Sequence, residues 1–253
     1  MLFEGKVAVI TGAGGGIGKA IARRFAAEGA TLVLADADAG SVERTASDLP
    51  AATRRSIAVG NLRERAFCQG LMDQAVHRHA RIDVLVNNAG VITRGTILDT
   101  SDDDWDLTLD VNVSAVFYTC RAAIRHMKAQ GSGAIVNVSS TWGLYPGPGH
   151  AAYCTSKGAV AILSKCLGRD HARDGIRVNA VCPNEVNTPM LRTGFARRGF
   201  DPDKAVEQLN DSVPLGRIAE PEDIADVVAF LASDQSRYVA GAALEVNGAK
   251  PVY

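Results

Sequence analysis

Several features that mark other classes of protein are missing or scarce in this chain of 253 residues. Its five cysteines are odd in number and form no C-x-x-C pair, which argues against a disulfide framework and predicts free, buried thiols in a reducing compartment. No block of five like charges occurs and the formal net charge is −1, so we expect neither a nucleic-acid nor a membrane partner. The apolar run 7–10 is too short for a signal peptide or a membrane span. These absences predict a cytoplasmic protein.

The sequence contains instead an alternation of short β-branched or apolar runs with segments of helical periodicity. A chain that is 47% hydrophobic and 22% charged can bury a sizeable core, and no repeat or linker divides it. Strand then helix, repeated, predicts an α/β fold with a doubly wound parallel sheet between two helical layers, in a single domain over residues 1–253. The predicted strands cover residues 7–11, 31–35, 56–59, 84–87, 134–138, 177–182 and 243–246.

The least regular stretch of the chain covers residues 188–215. Glycines and prolines interrupt it at Gly194, Gly199, Pro202 and Pro214. Because irregular segments beside a ligand site commonly close over it, we predict that this stretch is a mobile flap over a substrate.

A glycine-rich turn separates the first predicted strand from the first helix. Gly12, Gly16 and Gly18 lack a Cβ, which permits a tight turn and lets backbone amides approach a pyrophosphate at the amino end of the helix. Asp36 closes the second strand, where a carboxylate can accept hydrogen bonds from ribose hydroxyls and would repel a 2′-phosphate. No basic residue stands nearby to neutralise such a phosphate, so NAD is favoured over NADP. The alternative is that Asp36 only caps the helix that begins near Asp38.

Tyr153 and Lys157 carry the strongest chemical signal. The i,i+4 spacing places the phenol and the ammonium on one face of a helix. A free tyrosine has a pKa of about 10 and is a poor base at neutral pH, but a neighbouring cation favours its anion. A phenol that exchanges a proton beside a bound dinucleotide indicates hydride chemistry on an alcohol or a ketone. Alone, Lys157 also reads as a solvated helix residue.

With these residues the chain resembles the short-chain dehydrogenase/reductase family over essentially its whole length. The matching motifs are Thr11-Gly12-x-x-x-Gly16-Ile17-Gly18, Asn87-Asn88-Ala89-Gly90, Val111-Asn112-Val113, Val138-Ser139-Ser140, Tyr153-x-x-x-Lys157 and Pro183 with Thr188. The resemblance implies a Rossmann-type fold with a seven-stranded parallel sheet. It also implies a homotetramer assembled through the helices that contain residues 105–127 and 151–173.

The resemblance further implies a catalytic tetrad of Asn112, Ser140, Tyr153 and Lys157. Tyr153 would exchange a proton with the substrate oxygen, which Ser140 would orient. Lys157 would also bind the nicotinamide ribose, and Asn112 would hold a water that connects Lys157 to solvent. Taken singly, Ser140 reads as a cap at a strand end and Asn112 as a local break in a helix.

The residues that the resemblance assigns to the cofactor lie along the whole carboxyl edge of the predicted sheet. They are Gly12, Gly16, Ile17, Gly18, Asp36, Asn61, Leu62, Asn88, Ala89, Gly90, Tyr153, Lys157, Pro183, Val186 and Thr188. Asn61 stands where the family commonly has an aspartate, and its amide oxygen can still accept a hydrogen bond from adenine. Thr188 also reads as the N-cap of a helix that starts at Pro189, and the two interpretations are compatible.

Four residues are candidate contacts for the substrate: Trp142, His150, Asn184 and Glu185. The last two replace the glycine that usually follows Pro183 in the family, and an asparagine there tolerates a left-handed turn. Trp142 reads equally as core packing and His150 as a loop histidine. Four arginines could bind a carboxylate but are of a kind common on surfaces, so no acid substrate is predicted from them; they are Arg94, Arg192, Arg197 and Arg198.

We predict an NAD-dependent oxidoreductase that interconverts a secondary alcohol, such as a polyol, a sugar or a small hydroxy compound, and its ketone, without a metal ion. One alternative is a 3-oxoacyl-carrier-protein reductase, against which Asp36 argues because that reaction normally uses NADPH. Another is a regulator that senses a nucleotide and has lost catalysis, against which the presence of both Tyr153 and Lys157 argues.

Overall fold

Seven parallel strands form one continuous sheet in the computed structural model, which describes residues 1–250. The strands are β1 (Val7–Thr11), β2 (Thr31–Asp36), β3 (Arg55–Val59), β4 (Val84–Asn87), β5 (Gly133–Val138), β6 (Ile176–Pro183) and β7 (Ala243–Val246). Their order is β3-β2-β1-β4-β5-β6-β7, so the chain winds outward from β1 in both directions. The predicted sheet is confirmed, and every predicted strand end lies within one residue of the observed end. Residues 251–253 of the predicted domain lie outside the described residues.

Helices cover both faces of this sheet. They are α1 (Gly16–Ala27), α2 (Ala39–Ser47), α3 (Arg65–His79), α4 (Asp102–Leu109), α5 (Ala115–Gln130), α6 (Ala151–Asp170), α7 (Pro189–Ala196), α8 (Pro202–Asp211) and α9 (Pro221–Ala232). A π-helical turn, Asp110–Ser114, joins α4 to α5, and single 3₁₀ turns lie at Thr141–Gly143, Ala172–Asp174 and Asp234–Ser236. Within residues 1–250, none of the helices combines the length and the apolar character that crossing a bilayer requires.

The strands are apolar along their whole length because both faces of the sheet are buried. Successive side chains of β1 point to opposite faces. Ile10 packs on one side in a cluster with Phe25 of α1, and Val9 packs on the other in a cluster with Met127 of α5. The two cores fix the sheet from both sides, and the polar motifs of the sequence follow the carboxyl ends of its strands.

The stretch 188–215 is more regular than the sequence indicated, because it contains α7 and α8. Thr188 caps α7 by accepting the Leu191 N–H at 3.3 Å, and Pro189 occupies the first helical position. Asp201 caps α8 in the same way ahead of a proline. Capping residues followed by proline therefore begin both helices, and the first begins at the Thr188–Pro189 pair as the sequence predicted.

The five cysteines are free thiols, but they are not uniformly buried. Cys166 is exposed on α6, so the prediction of a buried thiol is wrong at that position. Cys154 is half-buried, and the other three are in the core.

Candidate active site

A cavity of about 570 Å³ opens at the carboxyl ends of the strands. It extends from the glycine turn after β1 to the first turn of α6. The predicted site residues that line it are Gly12, Gly16, Ile17, Asp36, Asn61, Leu62, Asn88, Ala89, Gly90, Ser140, Trp142, Tyr153, Lys157, Pro183, Asn184, Glu185, Val186 and Thr188. Three predicted site residues lie behind the lining: Gly18, Asn112 and His150.

The glycine turn fits a pyrophosphate because backbone alone forms its surface. Gly12 has φ +64°, and a Cβ there would lie 2.7 Å from the Cα of Ala89. Gly18 packs beneath the turn, where a Cβ would overlap the Gly12 carbonyl and approach the side chain of Asn88 to 2.6 Å. Asn88 secures the turn by donating to the Gly12 oxygen at 2.9 Å. The amino end of α1 begins at Gly16, and its unpaired N–H groups favour an anion.

Asp36 lines the cavity at the end of β2. Its Oδ2 accepts the Gly14 N–H at 2.8 Å, and its Oδ1 accepts the Asp38 N–H at 3.0 Å. The cap of α2 is Asp38, which accepts the Ser41 N–H, so the alternative role of Asp36 as the helix cap is wrong. Each carboxylate oxygen of Asp36 keeps a lone pair for a ribose hydroxyl.

Ser140, Tyr153 and Lys157 meet where β5 ends against α6. Lys157 Nζ donates to the Val138 carbonyl at 2.9 Å. The neighbouring Ser139 donates to the Lys157 carbonyl at 2.7 Å and so connects α6 to the end of β5. Ser140 Oγ donates to the last residue of β6 at 3.4 Å. Rigid elements on both sides therefore fix the three side chains.

Burial dominates the electrostatics of Tyr153. Burial raises the pKa of Tyr153 to about 12, although a hydrogen bond with Ser140 lowers it. Burial also lowers the pKa of Lys157 to about 8, and the ammonium lies 5.8 Å from the centre of the phenol ring. Desolvation thus determines the pKa of the phenol in the protein without cofactor, and the lowering expected from Lys157 together with an oxidised cofactor stays a prediction. In this state Tyr153 is a proton donor at neutral pH.

Asn112 lies in the π-helical turn between α4 and α5. Its Oδ1 accepts the Val91 N–H at 2.8 Å, and its Nδ2 donates to the Val91 carbonyl at 2.9 Å and to Ser156 at 3.0 Å. A Cβ on Gly90 would lie 3.2 Å from Asn112 Oδ1 and 3.3 Å from Lys157 Nζ, so the amide borders the tetrad lysine. The water that we expect Asn112 to hold stays a prediction.

Two aromatic rings enclose the phenol. Trp142 packs edge-on to Tyr153, with ring centres 6.3 Å apart, and stacks at 4.4 Å on His150. His150 lies at a similar distance from the phenol, with ring centres 6.5 Å apart, and its Nδ1 donates to the Pro148 carbonyl at 2.8 Å. Burial lowers the pKa of His150, which favours a neutral ring.

The two polar residues after Pro183 also face this region. Asn184 accepts a hydrogen bond from Thr141 at 3.3 Å, and its φ is not positive, so the expected left-handed turn is wrong. Glu185 forms an ion pair with Lys250 at 2.8 Å.

Sequence reasoning gave no role to several residues that line the cavity. Met190 and Leu191 of α7 add apolar surface, and Arg94 adds a charge. The signal for the first two is their place directly after the Thr188 cap, because the first turn of α7 lies at the cavity. Arg94 follows Gly90 by four residues, but only contacts in three dimensions distinguish it from the other arginines.

Known proteins are similar to this chain in sequence and in fold. A family model described as enoyl-(acyl carrier protein) reductase matches residues 12–248. The chain is 41% identical to meso-2,3-butanediol dehydrogenase of Serratia marcescens, over 98% of this chain and 95% of that protein. It is 38% identical to a 3-oxoacyl-[acyl-carrier-protein] reductase of Thermotoga maritima, over 98% of each. A crystal structure of levodione reductase superposes with a TM-score of 0.94 at 30% identity, over 97% of both chains. The chain belongs to the short-chain dehydrogenase/reductase family of oxidoreductases.

Proposed function

We propose that the protein is an NAD-dependent oxidoreductase that interconverts a small secondary alcohol, such as a polyol, a sugar or a hydroxy compound, and its ketone. The observation that carries this proposal is the single cavity that joins the glycine turn and Asp36 to the hydroxyls of Ser140 and Tyr153. A nicotinamide dinucleotide, when bound, supplies the hydride acceptor or donor and, in its oxidised form, a positive charge.

Residues of the chain itself transfer the proton. With a pKa of about 12, the Tyr153 phenol is protonated at neutral pH and can donate to a ketone oxygen. To remove a proton from an alcohol, Tyr153 must be in its phenolate form. Additional positive charge in the cavity favours that form. Ser140 holds the same oxygen by a hydrogen bond, and Lys157, whose pKa of about 8 lies near neutrality, can pass a proton onward.

The test is oxidation of a polyol panel and reduction of the matching ketones, followed by NADH absorbance. Tyr153→Phe keeps the ring and removes the proton, so we expect turnover to fall by a factor of about 10²–10⁴ while NADH binding, measured by fluorescence, stays within twofold. Tyr145→Phe is the matched control, because Tyr145 is exposed and bonds Glu245 instead.

Two outcomes contradict parts of the proposal. Retained turnover in Tyr153→Phe rejects the role of the phenol in proton transfer. NADH binding without conversion of any alcohol or ketone rejects the enzyme and supports the nucleotide-sensing alternative.

We further propose that the protein is a cytoplasmic homotetramer in which residues 188–215 form the flap over the substrate. Phe117 on α5 and Ile162 on α6 are exposed apolar side chains, 44% and 58% accessible, on the helices expected at the interface. Light scattering on the purified protein measures the assembly, and a monomer contradicts this part.

A further inference from the structure

One cation at the substrate end of the cavity has no partner. Among the charged residues in the lining, Asp36 and Lys157 bond backbone groups. Glu185 is neutralised by its ion pair with Lys250. Within residues 1–250, Arg94 forms neither a hydrogen bond nor an ion pair, and its exposed side chain lines the cavity, so the guanidinium is free to bind an anion there.

Backbone contacts fix Arg94 next to the catalytic phenol. The Gly95 N–H donates to the Gly149 carbonyl at 2.8 Å, and the Ala151 N–H donates to the Gly95 carbonyl at 3.4 Å. These bonds form a short parallel bridge at the start of α6, whose first turn carries Tyr153. The guanidinium therefore belongs to the end of the cavity at which the substrate reacts.

Helix α7 leaves room for this guanidinium. Gly194 is buried in α7, and a Cβ at that position would lie 2.8 Å from Nη2 and 3.4 Å from Cζ of Arg94. Glycine is unfavourable inside a helix, so the close approach of the arginine gives a physical reason for its presence. Gly194 of the proposed flap and the guanidinium of Arg94 are thus neighbours beside the cavity.

The surroundings of Arg94 are positively charged. Burial lowers the pKa of Arg94, and the charges of Arg198 and Arg197 lower it further. Among residues 1–250, neither of these two arginines pairs with a carboxylate. Arg192 of α7 differs from them, because it forms an ion pair with Asp203 at 2.7 Å. The potential at the mouth of the cavity therefore favours an anion.

We infer that Arg94 binds a carboxylate of the substrate, so that the enzyme acts on a small hydroxy acid and the corresponding keto acid. This inference rests on the proposed oxidoreductase function and specifies its substrate class. The planar guanidinium fork matches the two oxygens of a carboxylate. Arg94 is the one arginine among residues 1–250 that lines the cavity, which suits a single negative charge better than a phosphate dianion. The carboxylate is unchanged by the reaction and positions the hydroxyl carbon at Tyr153.

The test compares two substrates that differ only at one end: 2,3-dihydroxybutanoate has a carboxylate where 2,3-butanediol has a methyl group. Each is used as a mixture of stereoisomers with NAD. We expect the wild type to prefer the acid at least tenfold in kcat/KM. Arg94→Gln should lower kcat/KM for the acid by about ten- to hundredfold more than for the diol, the loss typical of a charged hydrogen-bonded pair, because any effect of the lost charge on the pKa of Tyr153 is common to both substrates.

Two further variants separate charge from position. Arg192→Gln removes a paired arginine from the same flap and should leave the preference for the acid unchanged. Gly194→Ala keeps the charge but displaces the guanidinium, so it should raise KM for the acid and spare the diol.

The outcomes distinguish failure of the carboxylate site from failure of the oxidoreductase function. Oxidation of the diol with no preference for the acid, or an equal loss on both substrates in Arg94→Gln, overturns the carboxylate site and leaves the oxidoreductase standing. If neither compound is oxidised, calorimetric titration of 2,3-dihydroxybutanoate decides: binding that Arg94→Gln abolishes supports the site, and absence of binding overturns it.

Discussion

The side-chain amide of Asn112 brackets the backbone of Val91, accepting its N–H at 2.8 Å and donating to its carbonyl at 2.9 Å. The remaining amide proton reaches Ser156 on α6, beside Lys157. One side chain therefore ties the loop after β4 to the helix that carries the phenol and the ammonium. This role is structural and comes in addition to any water that Asn112 holds.

Loss of the Asn112 amide should therefore lower stability. Asn112→Ala leaves part-buried backbone groups of Val91 without their protein partner, and we expect the free energy of unfolding in urea to fall by about 1–3 kcal/mol, the cost of an unsatisfied polar group. Gln69→Ala, which removes an exposed amide bonded to Asp73, is the control and should change stability by less than about 0.5 kcal/mol. Equal effects of the two substitutions contradict the bracketing role.

Cofactor preference should depend on Asp36 and not on its neighbour Asp38. Asp36→Ala combined with Ala37→Arg removes the repulsion of a 2′-phosphate and adds a cation, so the ratio of kcat/KM for NADP to that for NAD should rise by about a hundredfold. Asp38→Ala removes the cap of α2 and should cost about 1 kcal/mol of stability while leaving the ratio unchanged. The ratio is measured with one alcohol at saturating concentration. An unchanged ratio in the double variant shows that Asp36 does not choose the cofactor.

The buried ammonium of Lys157 should make stability depend on pH. Burial lowers its pKa from 10.5 to about 8, so between these values the unfolded chain holds a proton that the folded protein has lost. The free energy of unfolding contributed by Lys157 therefore rises with pH across this window, by about 3 kcal/mol in total at about 1.4 kcal/mol per unit. Tyr153 acts in the opposite direction only at higher pH, between 10 and about 12.

Denaturant unfolding of the protein without cofactor measures this contribution at pH 7, 9 and 10.5. The stability of the wild type relative to Lys157→Met should increase with pH. Lys165→Met, on an exposed face of the same helix, controls for the loss of a lysine. A difference between wild type and Lys157→Met that stays constant over this range shows that the ammonium is not desolvated.

Sequence patterns located the sheet and most of the cavity lining because both depend on local order along the chain. Strands buried on both faces are continuous apolar runs, and motifs such as Tyr153 with Lys157 sit directly at strand or helix ends. The pKa of Tyr153 could not be read this way, because it depends on burial by distant segments. The same holds for Arg94 and Arg192, which look alike in sequence, although Arg192 pairs with Asp203 and Arg94 lines the cavity without a partner among residues 1–250.

The close approach of Gly18 to the glycine turn gives a prediction about stability. A Cβ at Gly18 would overlap the Gly12 carbonyl, and backbone cannot yield as a flexible side chain does. Gly18→Ala should therefore destabilise the protein by about 1–3 kcal/mol or more, the usual range for overpacking. It should also weaken NADH binding, since the turn must open to admit the methyl group.

Gly70 provides the matched control, because it is also a helical glycine but has open space at the Cβ position. Gly70→Ala should stabilise the protein by up to about 1 kcal/mol through helix propensity alone. Thermal unfolding and NADH titration of both variants give the comparison. If Gly18→Ala is as stable as Gly70→Ala, the glycine turn is not packed against α1 as described. The proposed fit of this turn to a pyrophosphate is then contradicted.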